Sequence, residues 1–267
     1  MSDGEGSPAF PRRRREPPRF RGVDVRRIER LTPRLVRVTF GGHDLDGLTV
    51  EQPAASVRLL LPSPGSHELV MPSWNGNEFL LPGGRRPAIR TFTPRRVDPV
   101  ALEVDLEIVI HDGGVASEWA EVAGPGNPAA ISGPGRGYVV DRDAPCFLLA
   151  GDESAIPAMS ELLEVLPQQA SVHVHVEVAD PRARLPLPDH PRSTVEWHDL
   201  PEGASPGDTL LAAVRAADLG STVRVWVAGE AAGVQRLRRH FKERGLSRAQ
   251  TSVRGYWRRG RAGEDES

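Results

Sequence analysis

Residues Ala88, Ile89, Arg90, Thr91, Phe92, Thr93, Pro94 and Arg95 place an arginine, an aromatic ring and two hydroxyls in one short β-prone run. In a strand, side chains two apart share a face. The spacing therefore predicts Arg90, Phe92 and Pro94 on one face and Thr91, Thr93 and Arg95 on the other. An arginine can clamp a diphosphate through two parallel hydrogen bonds. An aromatic can lie against a conjugated ring, and a hydroxyl can bond a reactive ring nitrogen. A flavin dinucleotide asks for all three. An exposed strand with an ordinary arginine would carry the same letters, because short motifs recur by chance.

A second candidate runs from His111 through Asp112, Gly113, Gly114, Val115 and Ala116 to Ser117. It predicts a glycine turn opening a short helix. The free N–H groups of such a helix form an anion site, with Ser117 able to add a hydroxyl. A plain strand-to-helix turn with a capping serine carries the same letters, and short motifs recur by chance. Two further turns have the order strand, glycine, helix. One is Gly151, Asp152, Glu153 and onward to Pro157; the other is Gly229 and Glu230. Neither is a G-x-G-x-x-G fingerprint. Their acidic residues suit helix capping whatever else the turns do. His173 and His175 alternate on a predicted strand, with no cysteine or third histidine in view, so no metal site is expected.

These residues need elements to hold them. From Phe20 to about residue 140 the pattern is of strands separated by turns. Leu102, Val104, Leu106, Ile108 and Ile110 alternate with acidic residues, and Ser56–Leu61 is another strand. With almost no helical periodicity, this predicts an antiparallel barrel. After residue 140 the rhythm changes to strands at 146–150, 172–178, 194–197, 223–227 and 251–257. Helices are predicted at 155–166, 208–217 and 231–244. That is an α/β unit with a mostly parallel sheet, whose ligands sit at the carboxyl ends of its strands. The expected division is a disordered tail over 1–18, units over 19–140 and 141–262, and an acidic tail over 263–267.

Composition excludes several classes. The net charge of −2 provides no global field for nucleic acid. No run approaches the ~18 apolar residues of a membrane helix, and no apolar signal core begins the chain, so cytoplasm is expected. Cys146 is the one cysteine and can form no internal disulfide. Lys242 is the only lysine among 34 basic residues, so no single arginine is telling by its type alone.

Taken together, five segments in order resemble the siderophore-interacting protein family of the ferredoxin–NADP reductase superfamily. They are Arg90–Arg95, His111–Ala120, Gly151–Ala158, Trp226–Glu230 and Arg254–Gly260. The resemblance spans about residues 20–262. It implies a six-stranded Greek-key barrel binding FAD, then an α/β domain binding NADPH or NADH. Arg90 would hold the diphosphate, with Thr91 beside it. Phe92, where the family has tyrosine, would keep ring stacking without the phenol. Thr93 would sit near flavin N5 as the catalytic residue. His111, Gly113, Gly114, Ala116 and Ser117 would line the diphosphate and adenine side. Gly151, Asp152, Glu153, Pro157, Gly229 and Glu230 would form the nicotinamide edge. Arg182 and Arg184, after a strand end, would read a 2′-phosphate.

The activity so implied is reduction of Fe(III) held in a siderophore, with release as Fe(II). Arg95, Arg258 and Arg259 are candidates for attracting an anionic ferric siderophore. A ferredoxin donor stays open, and a monomer is expected, with no nucleic acid or membrane partner. Another flavin or quinone reductase on the same scaffold, or a non-enzymatic siderophore- or flavin-binding module, are the competing readings.

Overall fold

The structure is a computed structural model that describes residues 19–260. The tails expected at 1–18 and 263–267 lie outside the described residues. Two sheets divide the chain, and their faces explain where the side chains go.

The first sheet is antiparallel throughout. Its strands are β1 (Phe20–Thr32), β2 (Leu35–Gly41), β3 (Val57–Leu61), β6 (Ala88–Phe92), β7 (Pro94–Asp98), β8 (Glu103–Val109) and β9 (Pro128–Ser132), in the order β6-β3-β9-β1-β2-β8-β7. The two edge segments, β6 and β7, are consecutive in the chain and separated only by Thr93. Counted as one bent strand, they make six, and the curled sheet meets itself at Thr93. Val23, Val25, Val38, Phe40, Leu59, Leu106, Ile108 and Ile131 fill the interior. Asp105 and Glu107 on the acidic face of β8 are also buried, each with a cross-strand partner. Asp105 accepts from Thr39 Oγ1 at 2.5 Å and Glu107 from Arg37 Nη2 at 2.6 Å.

Residues 62–87, read as turns, contain a small hairpin. Here β4 (Ser73–Trp74) pairs with β5 (Phe79–Leu80). Two-residue strands are too short to show alternation. The turn between them is tied by Asn75 Oδ1, which accepts from the N–H groups of Asn77 and Glu78. Helix α1 (Val115–Val122) follows β8 and sets Trp119 in a stack on Phe40, with ring centroids 5.9 Å apart.

The second sheet is parallel throughout. Strands β10 (Cys146–Asp152), β11 (Ser171–Val178), β12 (Ser193–Asp199), β13 (Arg224–Glu230) and β14 (Thr251–Trp257) take the order β12-β11-β10-β13-β14. Phe147 and Leu149 pack with Ile156, Met159 and Leu162 of α2 (Ile156–Val165) on one face. Leu148 and Ala150 pack on the other face with α3 (Asp208–Ala216) and α4 (Ala231–Glu243). The chain leaves β10 in one direction for β11 and β12, then returns to the other side for β13. That reversal puts the topological switch point at the carboxyl ends of β10 and β13, where sheets of this kind bind ligands.

Candidate functional site

The two sheets meet where the bent strand breaks. Thr93 is buried, and the register slips between Pro94 and Arg96. The two-face alternation expected from Arg90 to Arg95 is therefore interrupted. Arg90 and Phe92 are half-buried on β6, Pro94 turns inward, and Arg95 reaches the other sheet. The Thr93 hydroxyl shares a hydrogen bond with the Tyr256 phenol at the end of β14, and burial raises the Tyr256 pKa. Around this contact four ties hold the sheets together. Arg95 Nη2 meets Glu164 of α2 at 2.6 Å. Arg34, at the tip of the β1–β2 hairpin, grips Glu153 through Nε at 2.8 and 3.1 Å. The Ala54 N–H donates to Glu161 at 2.7 Å. Arg254 donates to the carbonyls of Ala54, Arg136 and Gly137.

Glu161 makes this seam sensitive to pH. Burial pushes its carboxyl up to about 7 from an ordinary 4.5, against the opposing pull of the Ala54 N–H and Arg95. The folded chain thus holds a proton that the unfolded chain has released between those values. Stability falls as pH rises through that window, so the contribution is whole below 4.5 and lost above about 7. Glu161→Gln keeps an acceptor for Ala54 and cannot ionise. Its stability relative to the parent should grow by about 2 kcal/mol between about pH 5 and about pH 8, a value reduced for partial solvent access. Urea unfolding of both proteins at each pH measures it. An unchanged difference would remove Glu161 from the seam's titration.

The turn before α1 is built to present its backbone. Gly113 has φ 74, and a Cβ on Gly114 would come within 2.5 Å of the His111 ring. Ser117 is buried. Its hydroxyl accepts from the His111 N–H at 2.8 Å and donates to the His111 carbonyl at 2.7 Å. The donor that was expected to face an anion is thus spent on closing the turn. The N–H groups of the first turn of α1 have no side-chain cap, and the Arg90 guanidinium bonds the Ile89 carbonyl at 2.7 Å; both are donors of the kind a diphosphate takes.

At the carboxyl edge of the parallel sheet, Gly151, Asp152, Glu153, Pro157, Gly229 and Glu230 are all buried. Asp152 ties the edge together. It accepts from the Ser154 N–H and hydroxyl, the Glu230 N–H and Trp257 Nε1. Burial still outweighs these donors and lifts its pKa to about 6. Gly229 has φ 150, and a Cβ there would come within 2.6 Å of Asp152 Oδ2. Glu230 caps α4 by accepting from the Gly233 N–H at 2.7 Å. Glu153 does not cap a helix as expected; it pairs with Arg34 and accepts from the Ala179 N–H. Arg182 is bound to Asp180, which it lowers to about 2, and Arg184 is bound to Asp199. Arg258 and Arg259 are exposed beside this edge, with the Arg259 N–H pointing to Glu230.

Comparison with known proteins fits both halves. Residues 24–138 match the siderophore-interacting FAD-binding domain, and residues 144–260 match the siderophore-interacting protein model. The chain belongs to the siderophore-interacting protein family. A siderophore utilization protein from T. fusca is 37% identical, with a TM-score of 0.83 over 94% of this chain and 97% of that one. The NADPH-dependent ferric-chelate reductase of Escherichia coli is 32% identical over 94% of this chain and 98% of its own length. The ferredoxin reductase in carbazole 1,9a-dioxygenase shares the two-domain fold at 16% identity, with a TM-score of 0.66 over 91% and 71%. Among the described residues, no helix is long and apolar enough to cross a membrane.

Within this family fold, the predicted residues gather in two groups. Arg90 to Thr93 and the α1 turn belong to the barrel; the Asp152 and Glu230 turns belong to the parallel sheet. Tyr256 joins them, and sequence reasoning had no role for it beyond membership of a motif. Glu161, Arg34 and Glu177, whose buried carboxylate accepts from the Gly207 and Thr209 N–H groups, were also missed. Each acts across elements far apart in sequence, and no local pattern marks them. His198 was missed because the strand was expected to stop at Trp197. The parallel register places it near His175, with nitrogens 3.1 Å apart.

Proposed function

We propose that the chain is an FAD-dependent NAD(P)H:ferric-siderophore oxidoreductase, with its FAD-binding part over 19–140 and its NAD(P)H-binding part over 141–262. The single observation that carries this is the meeting of Thr93 with Tyr256. It sets the barrel's Arg-x-Phe-Thr strand against the carboxyl edge of the parallel sheet. A barrel-bound ring and a sheet-bound nicotinamide would face each other there.

Bound FAD would supply the conversion between a hydride pair and single electrons. The chain's own residues do the rest. Arg90 and the α1 N–H groups would hold the diphosphate, and Phe92 would offer its ring for stacking. Thr93, kept in place by Tyr256, would offer its hydroxyl to the ring's reactive edge. Asp152 ties the ends of β10, β13 and β14 together, so Gly151 and Gly229 would let a nicotinamide approach the backbone there. Arg258 and Arg259 draw an anionic chelate to the mouth. Arg95 is tied to Glu164, so its part is alignment of the two domains. The balance is one NAD(P)H and two ferric chelates to NAD(P)+, one proton, two Fe(II) and two free siderophores. The similarity to the NADPH-dependent ferric-chelate reductase of Escherichia coli supports NADPH as donor. Arg182 and Arg184 would reach a 2′-phosphate by exchanging their carboxylate partners.

An anaerobic visible spectrum tests this. The full chain, supplied with FAD, should show a flavin band that bleaches with NADPH and returns with a ferric siderophore as Fe(II) appears. Bleaching without a response to iron would point to a flavin or quinone reductase. Binding without bleaching by NADPH, NADH or reduced ferredoxin would point to a binding module.

A further inference from the structure

The polar face of the sheet edge carries a cluster that the flavin chemistry does not use. On β11, His173, His175 and Glu177 point to the α3 side, because the valines between them fill the α2 side. Edge strand β12 runs parallel, with Glu196 opposite His175 and His198 opposite Glu177. The register brings His175, Glu196 and His198 together, with one ligand atom from each within 4.8 Å of the others.

We propose that His175, Glu196 and His198 form a binding site for one divalent first-row transition ion. The geometry is close to what such an ion requires. His175 Nδ1 and His198 Nε2 are 3.1 Å apart. Two imidazole nitrogens on one tetrahedral zinc stand about 3.3 Å apart. Glu196 Oε2 is 3.9 Å from His175 Nδ1, and its side chain is 61% exposed, so rotation can close the gap. His175 is 5% exposed and held by the sheet, giving the site one rigid ligand and two from an accessible edge. Two imidazoles and one carboxylate select zinc, ferrous ion and their neighbours over magnesium and calcium, which prefer all-oxygen shells. Glu196 is exposed, so water can reach the ion and complete its shell. Binding would cross-link β12 to β11 and stabilise the sheet's edge.

The test uses the tag-free full chain, stripped with a chelator, and zinc as probe in competition with a chromogenic chelator. One saturable equivalent is expected, with magnesium and calcium failing to compete. His198→Gln and Glu196→Gln lie on the edge strand and should keep the fold, as circular dichroism and metal-free melting report. Each should weaken zinc by at least about tenfold. Cobalt should show visible d–d bands in the parent that His198→Gln loses. A parallel titration with ferrous ion under argon distinguishes a zinc site from an iron site by affinity. The proposal is overturned if no saturable binding occurs below about 1 mM. Equal affinity in both variants and the parent, or competition by magnesium, would overturn it as well. Because no flavin enters this titration, its outcome is independent of the reductase assay.

Discussion

Arg90→Ala is expected to weaken FAD binding by about 100-fold while leaving the protein folded. The loss corresponds to about 2–3 kcal/mol, the usual worth of charge-assisted hydrogen bonds from one guanidinium. Arg90 sits on β6 opposite Leu59 and is half-buried, so alanine there removes little packing. The N–H groups of α1 remain, which is why the affinity falls without vanishing. Arg95→Ala is the matched control. It breaks the tie to Glu164 and should leave FAD affinity within a few-fold of the parent, a range of under about 1 kcal/mol. Flavin fluorescence quenching on the two variants measures both. Unchanged affinity in Arg90→Ala would mean that β6 does not hold the diphosphate.

Glu177→Ala is expected to lower stability by about 3 kcal/mol, because several buried donors lose their acceptor at once. Glu177 is 2% exposed. It accepts from the N–H groups of Gly207, at 2.7 Å, and Thr209, at 3.2 Å, and from the Thr209 hydroxyl. It therefore caps a helix that lies 30 residues further along the chain, where Gly207 offers no side chain to do so. The melting temperature should fall by roughly 10 °C for a chain of this size. Glu177→Gln, which keeps one carbonyl acceptor, should lose about half as much. At low temperature FAD affinity should be unchanged, since the cap belongs to the parallel sheet. A Glu177→Ala protein that melts with the parent would show that water or α3 itself satisfies those groups.

The contrast between these two residues separates what is local from what is not. Arg90 stood out because its neighbours Phe92 and Thr93 share one short strand, and their combination names a chemistry. Glu177 stood out for nothing, because its partners arrive only when α3 docks on β11. Ser117 shows the intermediate case. Its place in a glycine turn was legible, yet its hydroxyl closes the turn onto His111 rather than facing outward. The acidic turns divided in the same way. Asp152 and Glu230 cap as local rules require, whereas Glu153 is claimed by Arg34 from the other sheet.

By itself the sequence determined the order and type of the main elements, the antiparallel and parallel halves, and the Arg90–Arg95 run as a candidate site. Periods of two and near four are local, and turn residues punctuate them. Tertiary structure alone decided the bend at Thr93, the Thr93–Tyr256 contact, the proton held by Glu161 and the meeting of His175 with His198. Each of these depends on register or burial across segments dozens of residues apart. Such partners become neighbours only when whole sheets pack, and packing leaves no periodic trace in the chain.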